Sequence, residues 1–231
     1  MKSYEGKTVV ITGGSKGLGR ALAKEFHDRG ATVITCSRNG KDTESGDGRY
    51  REFRCDLSSV EGAREFAYFL LWNTHGIDIL VSNASDPGSH GLRNTSEITA
   101  EDAIRAITVN YLSPMEIFRV LRPSLESLQE SLVVNVTSDV ASNPEPGWGV
   151  YAASKAALET LSSLIAVEYH EVGVHSFTFN PGDMDTELHR VFLPEDRNLL
   201  DPAYSARKLI EYLDSPWEKI CGSRLEVEED E

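Results

Sequence analysis

A chain of 231 residues, 40% hydrophobic and 26% charged, has the composition of an ordinary globular protein and is long enough for one large domain. Its 37 acidic residues against 23 Lys and Arg give a formal net charge of −14, which repels phosphate backbones and anionic membranes and excludes nucleic acid and membrane as expected partners. No apolar signal core opens the chain and no apolar run reaches membrane-span length, while three cysteines (Cys36, Cys55, Cys221) without Cys-x-x-Cys spacing suit free thiols in a reducing cytoplasm better than a disulfide framework or a metal site.

In chain order, residues 8–12 read as an apolar strand running into a glycine-rich turn, and 18–29 as a helix with Leu18, Leu22 and Phe26 on one face. A strand at 32–36 follows. The stretch 39–48 is too polar and glycine-rich for a helix and barely long enough for a parallel crossover. The strand after it, Tyr50-Arg51-Glu52-Phe53-Arg54-Cys55, is charged in the manner of a poorly covered sheet edge. Ser58-Ser59-Val60-Glu61 reads as a capping box that opens a helix over 60–73. Strands at 77–81, 132–136 and 174–179 then alternate with helices at 103–121 and 150–169, and Asp201-Pro202 starts a last helix. The acidic tail 226–231 reads as a solvated end. Apolar strands alternating with helices predict a single α/β domain over 1–231, a doubly wound parallel sheet covered on both faces.

Thr12-Gly13-Gly14-Ser15-Lys16-Gly17-Leu18-Gly19 joins the first strand to the first helix. A pyrophosphate there would rest on the positive helix end, and glycine lets the backbone approach it closely. At the tip of the second strand, Cys36-Ser37-Arg38-Asn39 offers no carboxylate for a ribose 2′-hydroxyl. Ser37 and Arg38, with Lys16 across the turn, supply the hydroxyl and cations that a 2′-phosphate requires. The expected cofactor is NADP(H).

Tyr151 and Lys155 lie one helical turn apart on the same face. Ser138 follows the 132–136 strand, at the carboxyl edge where parallel sheets place their chemistry. Free tyrosine, with a pKa of about 10, is a poor proton carrier at neutral pH, and a nearby ammonium brings it toward the working range. Reduction of a ketone needs a hydride and a proton. Tyr151 is the expected proton donor, Lys155 its electrostatic tuner, and Ser138 the hydrogen-bond partner of the substrate oxygen.

Thr12 to Gly19, Ser82-Asn83-Ala84, Asn110, Ser138, Tyr151, Lys155 and Pro181-Gly182 through Thr186 stand in the order and spacing of the short-chain dehydrogenase/reductases, a resemblance covering essentially the whole chain. It implies a seven-stranded Rossmann sheet, a nicotinamide cofactor and reversible hydride transfer between a carbonyl and an alcohol. By this resemblance Lys155 also holds the nicotinamide ribose, and Asn110 holds a water in the proton relay. Asp56, followed by Leu57, contacts the adenine; Asn83 and Ala84 line the cofactor ribose. Thr186 and the backbone after Pro181, including Gly182, meet the carboxamide. The helices at 103–121 and 150–169 form the family's subunit interface, which implies a homodimer or homotetramer. Ser82 and Ser85 depart from the family's Asn-Asn-Ala-Gly, with local strain or altered hydrogen bonding as the expected result. The segment 187–200 is short for the family's lid, leaving the pocket more open or completed by a partner subunit.

Asp139, Asn143, Trp148, Asp183, Met184, Leu188 and His90 are expected to face the substrate. A flat wall at Trp148 beside two carboxylates suits a heteroaromatic or polyfunctional ketone better than a steroid or fatty acyl chain. Pro146-Gly147-Trp148-Gly149-Val150-Tyr151 and the segment around Ser205-Ala206-Arg207-Lys208-Leu209 resemble the sepiapterin reductases and their bacterial benzil-reductase relatives. The expected function is NADPH-dependent reduction of a small-molecule carbonyl. An NAD-linked alcohol dehydrogenase and a non-catalytic NADP-binding sensor are the alternatives on the same fold.

Overall fold

Alternate side chains of a buried strand point to opposite faces of its sheet, so each apolar strand of this chain feeds two cores. In β1 (Thr8–Thr12), Val9 and Ile11 enter one core and Val10 the other. The first core is closed by Leu18, Leu22 and Phe26 of α1 (Gly17–Asp28) and by Leu209 and Leu213 of α7 (Pro202–Leu213). The second is closed by Phe66 and Leu70 of α2 (Val60–Asn73), Ile117 and Leu121 of α4 (Ser113–Glu126), and Ile165 of α5 (Gly149–Tyr169). Each such fully buried side chain stabilises the fold by about 1.5–3 kcal/mol. The computed structural model describes residues 2–41, 43–89 and 91–227; His90 and the tail 228–231 lie outside the described residues.

β2 (Thr32–Ser37), β4 (Tyr50–Arg54), β5 (Ile79–Ser82), β6 (Ser131–Val136), β7 (Val174–Asn180) and β8 (Arg224–Glu226) join β1 in a parallel sheet of order β4-β2-β1-β5-β6-β7-β8. The connections leave β1 and β5 in opposite directions across the sheet, which opens a crevice at their carboxyl ends.

Four local readings need correction. A two-residue strand, β3 (Thr43–Glu44), pairs antiparallel with β4, so the sheet has eight strands and β4 is not its edge. The turn that returns the chain into β4 closes with Gly48 N donating to Ser45 O at 2.9 Å, Gly48 taking φ +69°. The helix read over 103–121 is two helices, α3 (Ala100–Ile107) and α4, joined by a π-turn over Thr108–Leu112. Pro114, which has no N–H for the carbonyl of Asn110, sits in the first turn of α4, where proline suits the start of a new α register. The cap of α2 is Ser59, which accepts from Gly62 N at 3.0 Å, and Glu61 pairs with Arg64 at 3.6 Å instead of reaching back to Ser58. Finally, Glu226 belongs to β8, in register with Asn180.

Among the described residues no helix is long and apolar enough to cross a membrane. Cys36 and Cys55 are buried free thiols and Cys221 is half-buried.

Candidate active site

The crevice at the ends of β1 and β5 is a cavity of about 730 Å³. One end holds Arg38, Asp56 and Leu57; the middle holds Gly13, Ser15, Lys16, Gly17, Leu18, Asn83 and Ala84; the far end holds Ser138, Asp139, Trp148, Tyr151, Lys155 and the stretch from Pro181 and Gly182 through Asp183 and Met184 to Thr186.

The middle is shaped for a phosphate group. Lys16 at the N-cap of α1 makes no capping bond through its side chain, and no acid stands in the first turn. The helix therefore presents unsatisfied N–H groups and its positive end to the cavity. A Cβ on Gly13 (φ +72°) would meet Ala84 Cα at 2.9 Å, and one on Gly19 would strike Gly13 O at 2.3 Å. Gly19 thus packs the turn from behind, off the cavity wall. Asn83 fastens the turn to β5, with Nδ2 donating to Thr12 O at 2.8 Å, while Thr12 Oγ1 accepts from Asn83 N and Ala84 N, each at 3.0 Å. The uncapped helix end and the cradle that a Cβ would fill suit a dinucleotide pyrophosphate.

At the first end, Asp56 Oδ1 accepts from Ser58 N at 3.0 Å, and the Ser37 hydroxyl donates to Glu52 Oε1 at 3.1 Å. Arg38 faces the cavity with no hydrogen bond or ion pair among the described residues. Lys16, which also lines the cavity, has its Nζ 2.6 Å from Glu187 Oε2 on α6 (Glu187–Phe192). Thr186 caps α6, accepting from His189 N at 3.2 Å, and its methyl group backs Gly17.

At the far end, α5 carries Tyr151 and Lys155 inward, both buried. Burial pushes the Tyr151 phenol up to about 12; the nearby Ser85 hydroxyl acts downward, and the charges of Asp139 and Asp183 act upward. Burial pushes the Lys155 ammonium down to about 7. Lys155 Nζ donates to Val136 O at 2.8 Å and lies 5.6 Å from the Tyr151 ring centroid. Lys155 is thus anchored on the main chain beside the phenol, with its own charge weakened by desolvation. The Ser138 hydroxyl donates to Asp139 Oδ1 at 2.8 Å.

Asn110 is fully buried behind the cavity, with every side-chain site used. Oδ1 accepts from Asp86 N at 2.8 Å and Ser85 Oγ at 3.2 Å; Nδ2 donates to Asp86 O and Ser154 Oγ, each at 2.8 Å. This amide thus pins the loop after β5 to α5.

Trp148 stacks on Phe192 of α6 with centroids 4.9 Å apart and leans on Tyr151 at 5.5 Å. Leu188 joins this end of the cavity; Asn143 is exposed and off its wall. Sequence reasoning missed Phe192, His189, Leu193 and Glu145 here. Only the helical spacing of Leu188 and Phe192 after the Thr186 cap hinted at a lid helix packed on Trp148. His189 is buried in that lid, with Nε2 3.0 Å from Asp196 Oδ2.

The family profile for short chain dehydrogenases matches residues 7–196. The chain belongs to the short-chain dehydrogenase/reductase family. This dehydrogenase is 32% identical over 196 residues to an NADPH-dependent pterin aldehyde reductase of Arabidopsis thaliana, covering 79% of this chain and 76% of that protein. It is 30% identical over 228 residues to a benzil reductase of Bacillus subtilis, covering 94% and 91%. With a fatty acyl-CoA reductase of Mycobacterium tuberculosis it shares 34% over 181 residues, 75% of this chain, and spans 61% of that longer protein. The crystal structure of a 3-ketoacyl-(acyl-carrier-protein) reductase from Brucella melitensis complexed with NADH superposes with a TM-score of 0.86, at 28% identity over 97% of this chain and 98% of that one. The chain thus shares the fold of that NADH-bound reductase. Its cavity joins a phosphate cradle to a buried phenol, the two parts that hydride and proton transfer require.

Proposed function

We propose that this enzyme reduces the ketone or aldehyde carbonyl of a small aromatic or heteroaromatic compound with NADPH. The observation that carries the reading is the placement of Tyr151, Lys155 and Ser138 at one end of the cavity whose other end is the guanidinium of Arg38, unpaired among the described residues. Arg38 presents a fork to a 2′-phosphate, while of the carboxylates near it Asp56 accepts from Ser58 N and Glu52 from the Ser37 hydroxyl. Bound in this cleft, the cofactor supplies the hydride.

The protein's own residues handle the proton. Ser138 turns its hydroxyl from Asp139 to the substrate oxygen, and Tyr151 protonates that oxygen as the alkoxide develops. Lys155, buried at the same end, holds the ribose and adds positive charge near the phenolate. The Trp148–Phe192 stack gives the carbonyl compound a flat wall. The named activities of the pterin aldehyde and benzil reductases support a planar substrate.

We further infer a homodimer or homotetramer built on α4 and α5, supported by Leu164 and Val167, which α5 leaves exposed. A cytoplasmic location suits the three free thiols.

Fluorescence titration of NADPH and NADH tests the cofactor. NADPH binds the wild type more tightly, and Arg38→Ala loses at least tenfold for NADPH with NADH little changed; equal affinities in the wild type overturn the 2′-phosphate assignment. Tyr151→Phe abolishes reduction of any accepted aromatic ketone, and undiminished turnover overturns the mechanism.

A further inference from the structure

The charges on the cavity wall are sorted. Lys16, Arg20 and Lys24, at the start of α1 and along it, and Arg38 after β2 line the half that holds the phosphate cradle. At the Tyr151 end the wall carries Asp139, Glu145 and Asp183, one after β6, one before α5 and one after β7.

These three surround the place where a carbonyl compound would lie. Asp139 Oδ1 accepts from the Ser138 hydroxyl at 2.8 Å. Glu145 stands in the turn that leads into α5, its main-chain oxygen accepting from Trp148 N at 3.3 Å, and Trp148 leans on Tyr151 with ring centroids 5.5 Å apart. The Glu145 carboxylate is exposed and makes no hydrogen bond or ion pair among the described residues. Asp183 Oδ1 lies 3.7 Å from His189 Nδ1, whose other ring nitrogen is 3.0 Å from Asp196 Oδ2.

Neither cation at this end balances the three acids. The imidazole of His189 is shared between two carboxylates, and the Lys155 ammonium is spent on Val136 O. The other acids on the wall are engaged: Asp56 by Ser58 N, Asp86 by Arg105, Asp185 by Arg190, Glu187 by Lys16, and Asp201 as the cap of α7. Nor are the three placed to share a metal ion, since among the described residues no three His, Cys, Asp or Glu side chains form a group that could hold one.

A group bound against Trp148 therefore meets an excess of negative charge. An ammonium gains there from charge-assisted hydrogen bonds to carboxylate and from the indole face. A carboxylate or phosphate is repelled and finds no spare cation to pair with. The rim is open to water, so each acid is screened and acts over a Debye length of about 8 Å. Their common sign decides the outcome.

We propose that Asp139, Glu145 and Asp183 make this end of the cavity selective for cationic carbonyl compounds, aromatic ketones or aldehydes that carry an ammonium or a protonated ring nitrogen, over carboxylated or phosphorylated ones. The assignment rests on the reading of this end as the carbonyl site.

The test measures kcat/KM with NADPH for three acetophenones of matched size, bearing a para-aminomethyl, para-ethyl or para-carboxymethyl group. The wild type favours the ammonium compound over the carboxylate by at least about 30-fold, with the neutral ketone between them. Raising salt from about 10 mM to about 500 mM shrinks this ratio. Glu145→Gln lowers it by about threefold to tenfold, and Glu145→Gln/Asp183→Asn lowers it further. Damage to the fold would slow all three ketones alike, so the ratio reads charge alone. Equal kcat/KM for the two charged ketones in the wild type, or a ratio unmoved in the double variant, overturns the proposal. If none of the three is reduced, the functional reading fails, and the charge assignment is judged by binding of benzylammonium and phenylacetate in saturation-transfer NMR. Benzylammonium then binds the wild type in preference to phenylacetate and the double variant loses that preference; a wild type that holds both alike overturns the charge assignment too.

Discussion

Arg224, in the last strand of the sheet, donates through Nη2 to the main-chain oxygen of Ser138, 3.3 Å away. Its Nε meets Glu159 Oε1 of α5 at 3.1 Å, and the same carboxylate oxygen accepts from Thr137 Oγ1 at 2.6 Å. The C-terminal strand thus braces the loop that carries the proposed substrate-binding serine against the helix that carries Tyr151. Arg224→Gln should lower kcat about threefold to tenfold with little change in NADPH affinity. Melting should drop by a few degrees at most, since a partly exposed ion pair contributes about 1 kcal/mol. Steady-state kinetics with thermal denaturation checks both.

Asp139 acts on the site twice, by engaging the Ser138 hydroxyl and by placing negative charge near Tyr151. Removing the charge favours the phenolate. Asp139→Asn should therefore move the alcohol-oxidation pH profile toward lower pH. A pH–rate series on the variant and the wild type reads the sign of the shift.

Lys155 destabilises the fold that uses it. Its folded pKa of about 7 lies below the ordinary 10.5, so folding disfavours the ammonium. The penalty is complete below about pH 7, shrinks as pH rises, and vanishes above the unfolded value. Lys155→Met should abolish turnover yet stabilise the protein by about 2–4 kcal/mol at pH 6, after allowing for the lost bond to Val136 O. That gain should fade toward pH 10, as denaturant melts across pH will show.

Glu116 has the opposite linkage. It is buried in α4 with Oε1 2.8 Å from Arg64 Nε and 2.7 Å from Arg119 Nη2, and the two arginines, Arg119 foremost, hold it down to about 2 against an ordinary 4.5. Its contribution is present above about pH 4.5 and lost as pH falls through about 2. Glu116→Gln should cost about 1–3 kcal/mol at pH 7, the arginines being partly solvent-screened. The deficit against wild type should close in melts as pH falls through about 2.

Trp148 is the wall that Phe192 stacks on, at the end of the cavity away from Arg38. Trp148→Ala should raise KM for an aromatic ketone about tenfold and leave NADPH binding unchanged. An equal loss in both would place Trp148 on the cofactor instead.

Much of the fold was legible in the chain because its causes are local. Val9-Val10-Ile11 buries both faces whatever its neighbours are, and the four-residue spacing of Leu18, Leu22 and Phe26 makes a one-sided helix by itself. The glycines from Gly13 to Gly19 announce close backbone approach, and Tyr151 with Lys155 share a face by helix geometry alone. The sequence determined this much: a doubly wound sheet, a phosphate cradle at its switch point, and a phenol and an ammonium beside it. Tertiary structure decided which polar group each of these residues meets. That Lys155 rests on Val136 O, that Lys16 pairs with Glu187, that the Asn110 side chain spends all its bonds on Ser85, Asp86 and Ser154, and that Arg224 reaches Ser138 are contacts across tens of residues. A side chain's hydrogen bonds and its proton affinity depend on which atoms the packed chain brings within about 3 Å and how much water it excludes, and neither is a property of the neighbours in sequence.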